Sequence, residues 1–163
     1  MMTETITNPA SQRQICAFIL NDHCFGIDVQ FVQEVFRFQE STPVPMTPPL
    51  VTGLLNLRGQ IVMAIDLRMR LGMPERITDQ LPTNVVVRTG DGVLSFLVDD
   101  LFDIMTLPND NLEAIPETLT GIEREFVTGC YKLQNRLLLM LDTILVADIS
   151  DILRDAINAP DSS

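Results

Sequence analysis

The residues able to do chemistry in this chain are few and scattered. His23 is the sole histidine. It follows Asn21-Asp22 in a turn-prone stretch, so a Ser/His/Asp or Cys/His arrangement would have one possible base. Its expected role is that of a solvated turn residue. Cys16, Cys24 and Cys130 are odd in number and form no Cys-x-x-Cys. They read as buried structural thiols of a reducing compartment, since a zinc site would need a fourth ligand. Asp99-Asp100 falls at an expected strand end, where a carboxylate caps or turns the chain rather than serving as an acid/base pair. Asp28, Asp66, Asp99 and Asp142 each close an apolar run, and repeated capping explains all four without a metal. Gly90-Asp91-Gly92 is too short and too acidic for a phosphate loop and reads as a hairpin turn. No enzyme activity, metal or cofactor is expected from these residues.

Arg58 stands apart. It lies between Leu57 and Gly59 at the expected tip of a hairpin, in an apolar and acidic neighbourhood. Two readings stay open. It is a solvated turn residue, or one half of a structural ion pair with a carboxylate such as Glu34. Alternatively it is a rigidly presented arginine that reaches a partner's carboxylate or backbone carbonyls.

The elements that must position Arg58 are written twice. Residues 51–68 read VTGLLNLRGQIVMAIDLR and residues 127–142 read VTGCYKLQNRLLLMLD. Gly53 and Gly129, 76 positions apart, open the two copies, and Leu57 matches Leu133. Two turn-prone residues follow each leucine, then a five-residue apolar run that stops at Asp66 or Asp142. An echo at fixed spacing implies a duplicated unit. Around it, strands are expected at 14–20 and 24–27, with Asp28 capping a helical turn before 34–38. The proline-bearing stretch 39–49 is irregular, and 50–53 is expected as one helical turn. Hairpins are expected at 54–57 with 60–65, at 84–89 with 93–98, and at 126–133 with 136–141. Asp66 caps a short helix at 67–71 that Gly72 closes. A C-terminal helix opens at Asp142 or Ser150.

Many short strands with Gly, Pro and Asn turns give a mainly β chain, and duplication makes it two small barrels sharing a hydrophobic seam. The expected organisation is an arm at 1–12 and one domain at 13–157. That domain holds two pseudo-repeated subdomains with a boundary near 74–82, whose termini can exchange. A frayed tail follows at 158–163. The 163 residues, 46% of them hydrophobic, can bury a real core. A net charge of −11 argues against nucleic acid or anionic lipid as a partner. The first residues show no signal peptide, and the longest apolar runs are about five residues, far below the roughly 20 that a membrane helix needs. A cytoplasmic protein is expected.

FGIDVQFVQEVF (25–36), TPVPMTPPLVTGLLNLRGQIVMAIDLRMRLG (42–72), VDDLFDIMTLP (98–108) and FVTGCYKLQNRLLLMLD (126–142) together resemble the CheW family of chemotaxis coupling proteins. The resemblance spans about residues 13–150. It implies two SH3-like five-stranded β-barrels around a common core. It also implies a non-enzymatic adaptor without cofactor, which bridges the cytoplasmic tip of chemoreceptors to the regulatory domain of a CheA-type histidine kinase in membrane-associated arrays. Weak self-association fits a partner built like the adaptor itself. The positions matching the family's receptor-binding surface are Val32, Glu34, Gly53, Arg58 and its neighbour Ile61, with Glu34 and Arg58 expected to pair. Kinase contacts are expected only roughly, on exposed apolar strands at a barrel end. Met63-Ala64 stands where many members carry a proline, a tolerated variation. The alternative within the resemblance is an adaptor of a pathway controlling pili, surface motility or development. A small β-barrel enzyme lacks converging titratable groups. An SH3-like binder of proline-rich peptides lacks aromatic material, with no Trp and one Tyr.

Overall fold

The computed structural model describes residues 11–74, 79–90 and 92–158. Ten strands run in chain order: β1 (Gln12–Leu20), β2 (His23–Asp28), β3 (Val32–Phe36), β4 (Val51–Leu57), β5 (Gln60–Asp66), β6 (Thr83–Thr89), β7 (Gly92–Val98), β8 (Asp100–Pro108), β9 (Val127–Leu133) and β10 (Arg136–Leu141). Three helices, α1 (Leu67–Arg70), α2 (Thr143–Ala147) and α3 (Ser150–Asn158), follow β5 and β10.

The strands form two five-stranded sheets, ordered β8-β1-β2-β10-β9 and β3-β6-β7-β5-β4. The two orders are the same pattern. Each places an antiparallel hairpin (β1-β2 or β6-β7) beside a parallel neighbour (β10 or β5), which in turn pairs with its own hairpin partner. Neither sheet comes from one half of the chain. The first hairpin, β1-β2, joins the late strands β8, β9 and β10, while β6-β7 joins the early strands β3, β4 and β5. The repeats are therefore interlocked, each lending a hairpin to the other's sheet. The stretch 74–82 joins α1 to β6 within a single sheet, and the chain changes sheets between β2 and β3 and between β7 and β8.

Alternation of side chains explains why both faces of the central strands are apolar. Cys16, Phe18 and Leu20 of β1 face a seam shared with Ile65, Val85 and Phe96 of the other sheet. Ile15 and Ala17 face the opposite way, onto Cys24, Tyr131 and Leu138. The second sheet has its own inner layer of Leu55, Leu57, Val62, Ala64 and Val86. Seam residues bury surface only when both sheets are present, so the two units stabilise one another.

The Val-Thr-Gly echo has a structural cause. The preceding loop crosses the outer edge of β4, where Thr42 and Leu54 exchange two backbone hydrogen bonds of 2.8 Å. Glu113 and Cys130 do the same against β9, also at 2.8 Å. A Cβ on Gly53 would sit 2.7 Å from the Thr42 carbonyl, and one on Gly129 would sit 2.8 Å from that of Glu113. Only glycine lets the covering chain come so close, and each covering bridge satisfies backbone groups of an edge strand at that point. The intervening threonines also repeat: Thr52 donates to Ala64 O at 3.1 Å and Thr128 to Met140 O at 3.3 Å.

Several local expectations need correction. Residues 50–53 form no helical turn, because Val51–Gly53 already belong to β4 through backbone pairing with β5. Asp66 and Asp142 do cap α1 and α2, but Asp28 and Asp99 cap nothing with their side chains. Asp28 precedes a single 3-10 turn, Val29–Phe31, without a capping hydrogen bond and lies 3.7 Å from Arg13. Asp99 pairs with the buried Arg68 and accepts from the Asn21 amide at 2.7 Å. Asp28 faces a guanidinium at ion-pair distance only, and Asp99 leads directly into β8, where no helix needs a cap. The C-terminal helix is two helices, broken at Asp148 and Ile149. The expected arm lies outside the described residues except for Ser11 and Gln12, which opens β1, and the expected tail does so except for Asn158.

Candidate partner-binding site

The β4-β5 turn is tight, with Leu57 paired to Gln60 and only Arg58 and Gly59 between them. Both turn residues have positive φ, +53° and +90°, the geometry that matches strand twist in two-residue hairpins. Gly59 adopts it freely. Arg58 does so at a cost on the order of 1 kcal/mol, where Asn or Gly would serve the turn better. The Asn56 carboxamide stabilises the turn by accepting from the Gly59 amide at 2.9 Å. In the corresponding turn of the second copy Asn135 stands at the place of Gly59 with φ +73°, while Gln134, at the place of Arg58, does not take positive φ. A strained arginine at the first tip therefore points to a task for its side chain.

That side chain reaches Glu34 on β3, and the expected ion pair is present. β3 and β4 are the two outer strands of their sheet, so the pair joins one edge to the other and the sheet must curl to allow it. Gln39 adds a second tie, its amide donating to Asn56 O at 3.2 Å. The other sheet is joined differently. Arg136, just after the β9-β10 turn, lies 4.7 Å from the ring centroid of Phe102 on edge strand β8.

Of the five sequence-derived site residues, the structure brings Glu34 and Arg58 into contact. Ile61 stands beside them, opposite Asn56 and 61% exposed. Val32 is half-buried opposite Val87 at the start of β3. Gly53 is buried under Ser41 and Thr42 at the far end of β4. The Val32 side chain packs against the seam, and Gly53 has no side chain to present.

Two grooves related by the repeat flank the seam. One, of about 180 Å³, is lined by Thr52, Asp66, Arg68 and Asp99. The other, of about 230 Å³, is lined by Asp28, Phe31, Thr128, Asp142 and Ile144. Arg68 and Ile144 occupy the same place in the two copies, yet Arg68 is buried across to Asp99 while Ile144 is 54% exposed. Phe31, which lines the second groove, immediately precedes β3, the strand that carries Glu34. Sequence reading missed Ile144 and the outward face of β8. Leu101, Phe102 and Ile104 of β8 are 38%, 42% and 51% exposed. The available signal was the apolar Leu101, Phe102 and Ile104 set among Asp100 and Asp103.

Burial pushes the Cys16 thiol up to about 11, and it raises Cys24 and Cys130 as well. Among the described residues no three His, Cys, Asp or Glu side chains converge in a way that could hold a metal ion. No helix among them is long and apolar enough to cross a membrane.

Comparison with known proteins agrees with this arrangement. Residues 14–151 match the model of the CheW-like domain. The chain is 31% identical over 136 residues to a chemotaxis protein CheW of Bacillus subtilis, covering 83% of this chain and 86% of that one. It is 30% identical over 130 residues to a chemotaxis protein CheW of Klebsiella aerogenes, covering 80% and 78%. The crystal structure of the scaffolding protein TtCheW from Thermoanaerobacter tengcongensis superposes with a TM-score of 0.71 at 27% identity, over 80% of this chain and 84% of that one. On the matched domain, the shared sheets and these identities, the chain belongs to the CheW family.

Proposed function

We propose that this protein is a non-enzymatic chemotaxis adaptor that holds the cytoplasmic tip of a chemoreceptor against the regulatory domain of a CheA-type histidine kinase. The observation that carries the reading is the edge-joining Arg58–Glu34 pair near exposed Ile61, in a chain whose relatives are chemotaxis and scaffolding proteins. Arg58, Glu34 and Ile61 form the receptor-facing surface, together with the groove lined by Phe31 and Ile144. Val32 and Gly53 fix the strands beneath. The exposed apolar face of β8 supports a separate contact for the kinase, since an adaptor needs two surfaces that can be filled at once. Neither surface requires a cofactor.

The test is kinase autophosphorylation in a reconstituted mixture of receptor cytoplasmic fragments and kinase from the same cell. Adding this protein should stimulate the kinase strongly, and folded Arg58→Ala should lose most of that stimulation. Absence of stimulation by the intact protein with cognate partners would overturn the reading.

A further inference from the structure

α2 spans five residues, too few to hold a helix by its own hydrogen bonds, yet it carries Ile144 and Leu145, which are 54% and 37% exposed. Asp142 caps its N-terminus. Its C-terminal carbonyls are met by one side chain from the other repeat. Arg70 of α1 donates to Val146 O at 2.9 Å, Leu145 O at 3.0 Å and Asp148 O at 2.9 Å. A cation at this end also suits the helix dipole. The same guanidinium lies 4.6 Å from the ring centroid of Phe126, and the Phe126 carbonyl accepts from the Asp142 amide at 2.9 Å. Arg70 thus grips both ends of α2, the C-terminus directly and the cap through Phe126.

The clamp works in one direction. The residue matching Arg70 in the second copy is Val146, which is fully buried, so α1 receives no such grip in return. Burial works against the charge of Arg70, lowering its pKa from the ordinary arginine value, while Asp148 and Glu125 act the other way.

We infer that Arg70 is a positioning residue for partner binding: it fixes α2 so that Ile144 is presented at the open groove, with Leu145 exposed on the same short helix. This rests on the reading that the groove takes the receptor tip.

The experiment uses the full chain. Hydrogen exchange is followed at the amides of Val146 and Asp148, which bond within α2 at 2.9 to 3.2 Å, alongside affinity for a receptor cytoplasmic fragment. Arg70→Met should speed exchange at those two amides about tenfold or more while β1 amides stay protected, and should weaken fragment binding about five- to tenfold. Arg70→Lys, which keeps the charge, should restore part of both. Leu133→Ala, which thins the inner layer of the other sheet at the β9-β10 tip, controls for general destabilisation and should leave α2 exchange and affinity unchanged. Unaltered exchange at Val146 and Asp148 in Arg70→Met would overturn the clamp. Faster exchange with unaltered affinity would overturn its role in presentation. Failure of the wild-type chain to bind the fragment would overturn the receptor reading, and the exchange data would still decide the clamp.

Discussion

Arg58 and Glu34 lie on opposite edges of one five-stranded sheet, and their side chains meet across the gap. Arg58 is 76% exposed and Glu34 23%, so the pair contributes roughly 0.2 to 1 kcal/mol to stability at most. Its effect is on shape. It fixes where the β4-β5 tip stands relative to β3.

A double-mutant cycle separates shape from contact. Arg58→Ala and Glu34→Ala should each weaken receptor-fragment binding, and the double variant should lose less than the sum, by about 0.5 kcal/mol or more. Additive losses measured by calorimetry would show that the two residues act independently. The melting temperature should change little in all three.

The edge-covering glycines should be intolerant of a methyl group. Gly53→Ala and Gly129→Ala each force a Cβ within 3 Å of a carbonyl oxygen, with an expected cost of about 1–3 kcal/mol. Urea unfolding would read it. Gly59→Ala meets no neighbour within 4 Å, so it should cost only what its positive φ demands.

Arg68 and Asp99 tie α1 to the start of β8, and Arg68 is 4% exposed. Asp99→Ala removes the carboxylate facing a buried guanidinium and should destabilise by about 3–5 kcal/mol. Pairing it with Arg68→Met should recover much of that loss in the same unfolding assay. No recovery would mean that the packing around Asp99, not the charge, sets the cost.

The three cysteines are buried, and their thiols titrate above the ordinary value because burial disfavours the thiolate. At pH 8 a disulfide reagent should label the native protein very slowly and all three sites rapidly in denaturant. Rapid labelling without denaturant would reveal local opening of β1, β2 or β9.

Asp148 accepts from the Ser150 hydroxyl at 2.6 Å and its amide at 3.2 Å, and so holds the start of α3. These bonds, helped by Arg70 and Arg154, keep its pKa below the ordinary 3.8. A carboxylate whose folded pKa is depressed stabilises fully above its unfolded pKa and loses that contribution as pH falls through the folded one. The stability difference between wild type and Asp148→Asn should therefore be constant above about pH 5 and shrink below 3.8. A difference that persists at pH 2 would assign the effect to shape rather than charge.

The sequence alone determined the local programme. Alternating apolar residues, the Asn21-Asp22 and Arg58-Gly59 turns, the Asp66 cap and the repeated Val-Thr-Gly could each be read because turn geometry, capping and strand burial depend on neighbours a few residues away. The family was legible in the stretches 25–36 and 42–72. Arg58, with Glu34 as a candidate partner, stood out from its place at a hairpin tip, and the resemblance made the pair the expectation. Which hairpin joins which sheet was not legible, since both repeats carry the same apolar pattern and pair equally well with either set of strands. Only the tertiary structure decided that the repeats interlock. It also decided that Asp28 and Asp99 face guanidiniums instead of capping, and that Arg70 reaches α2 across 75 residues of chain. Long-range partners of charged side chains depend on where the whole backbone runs, and no local pattern encodes them.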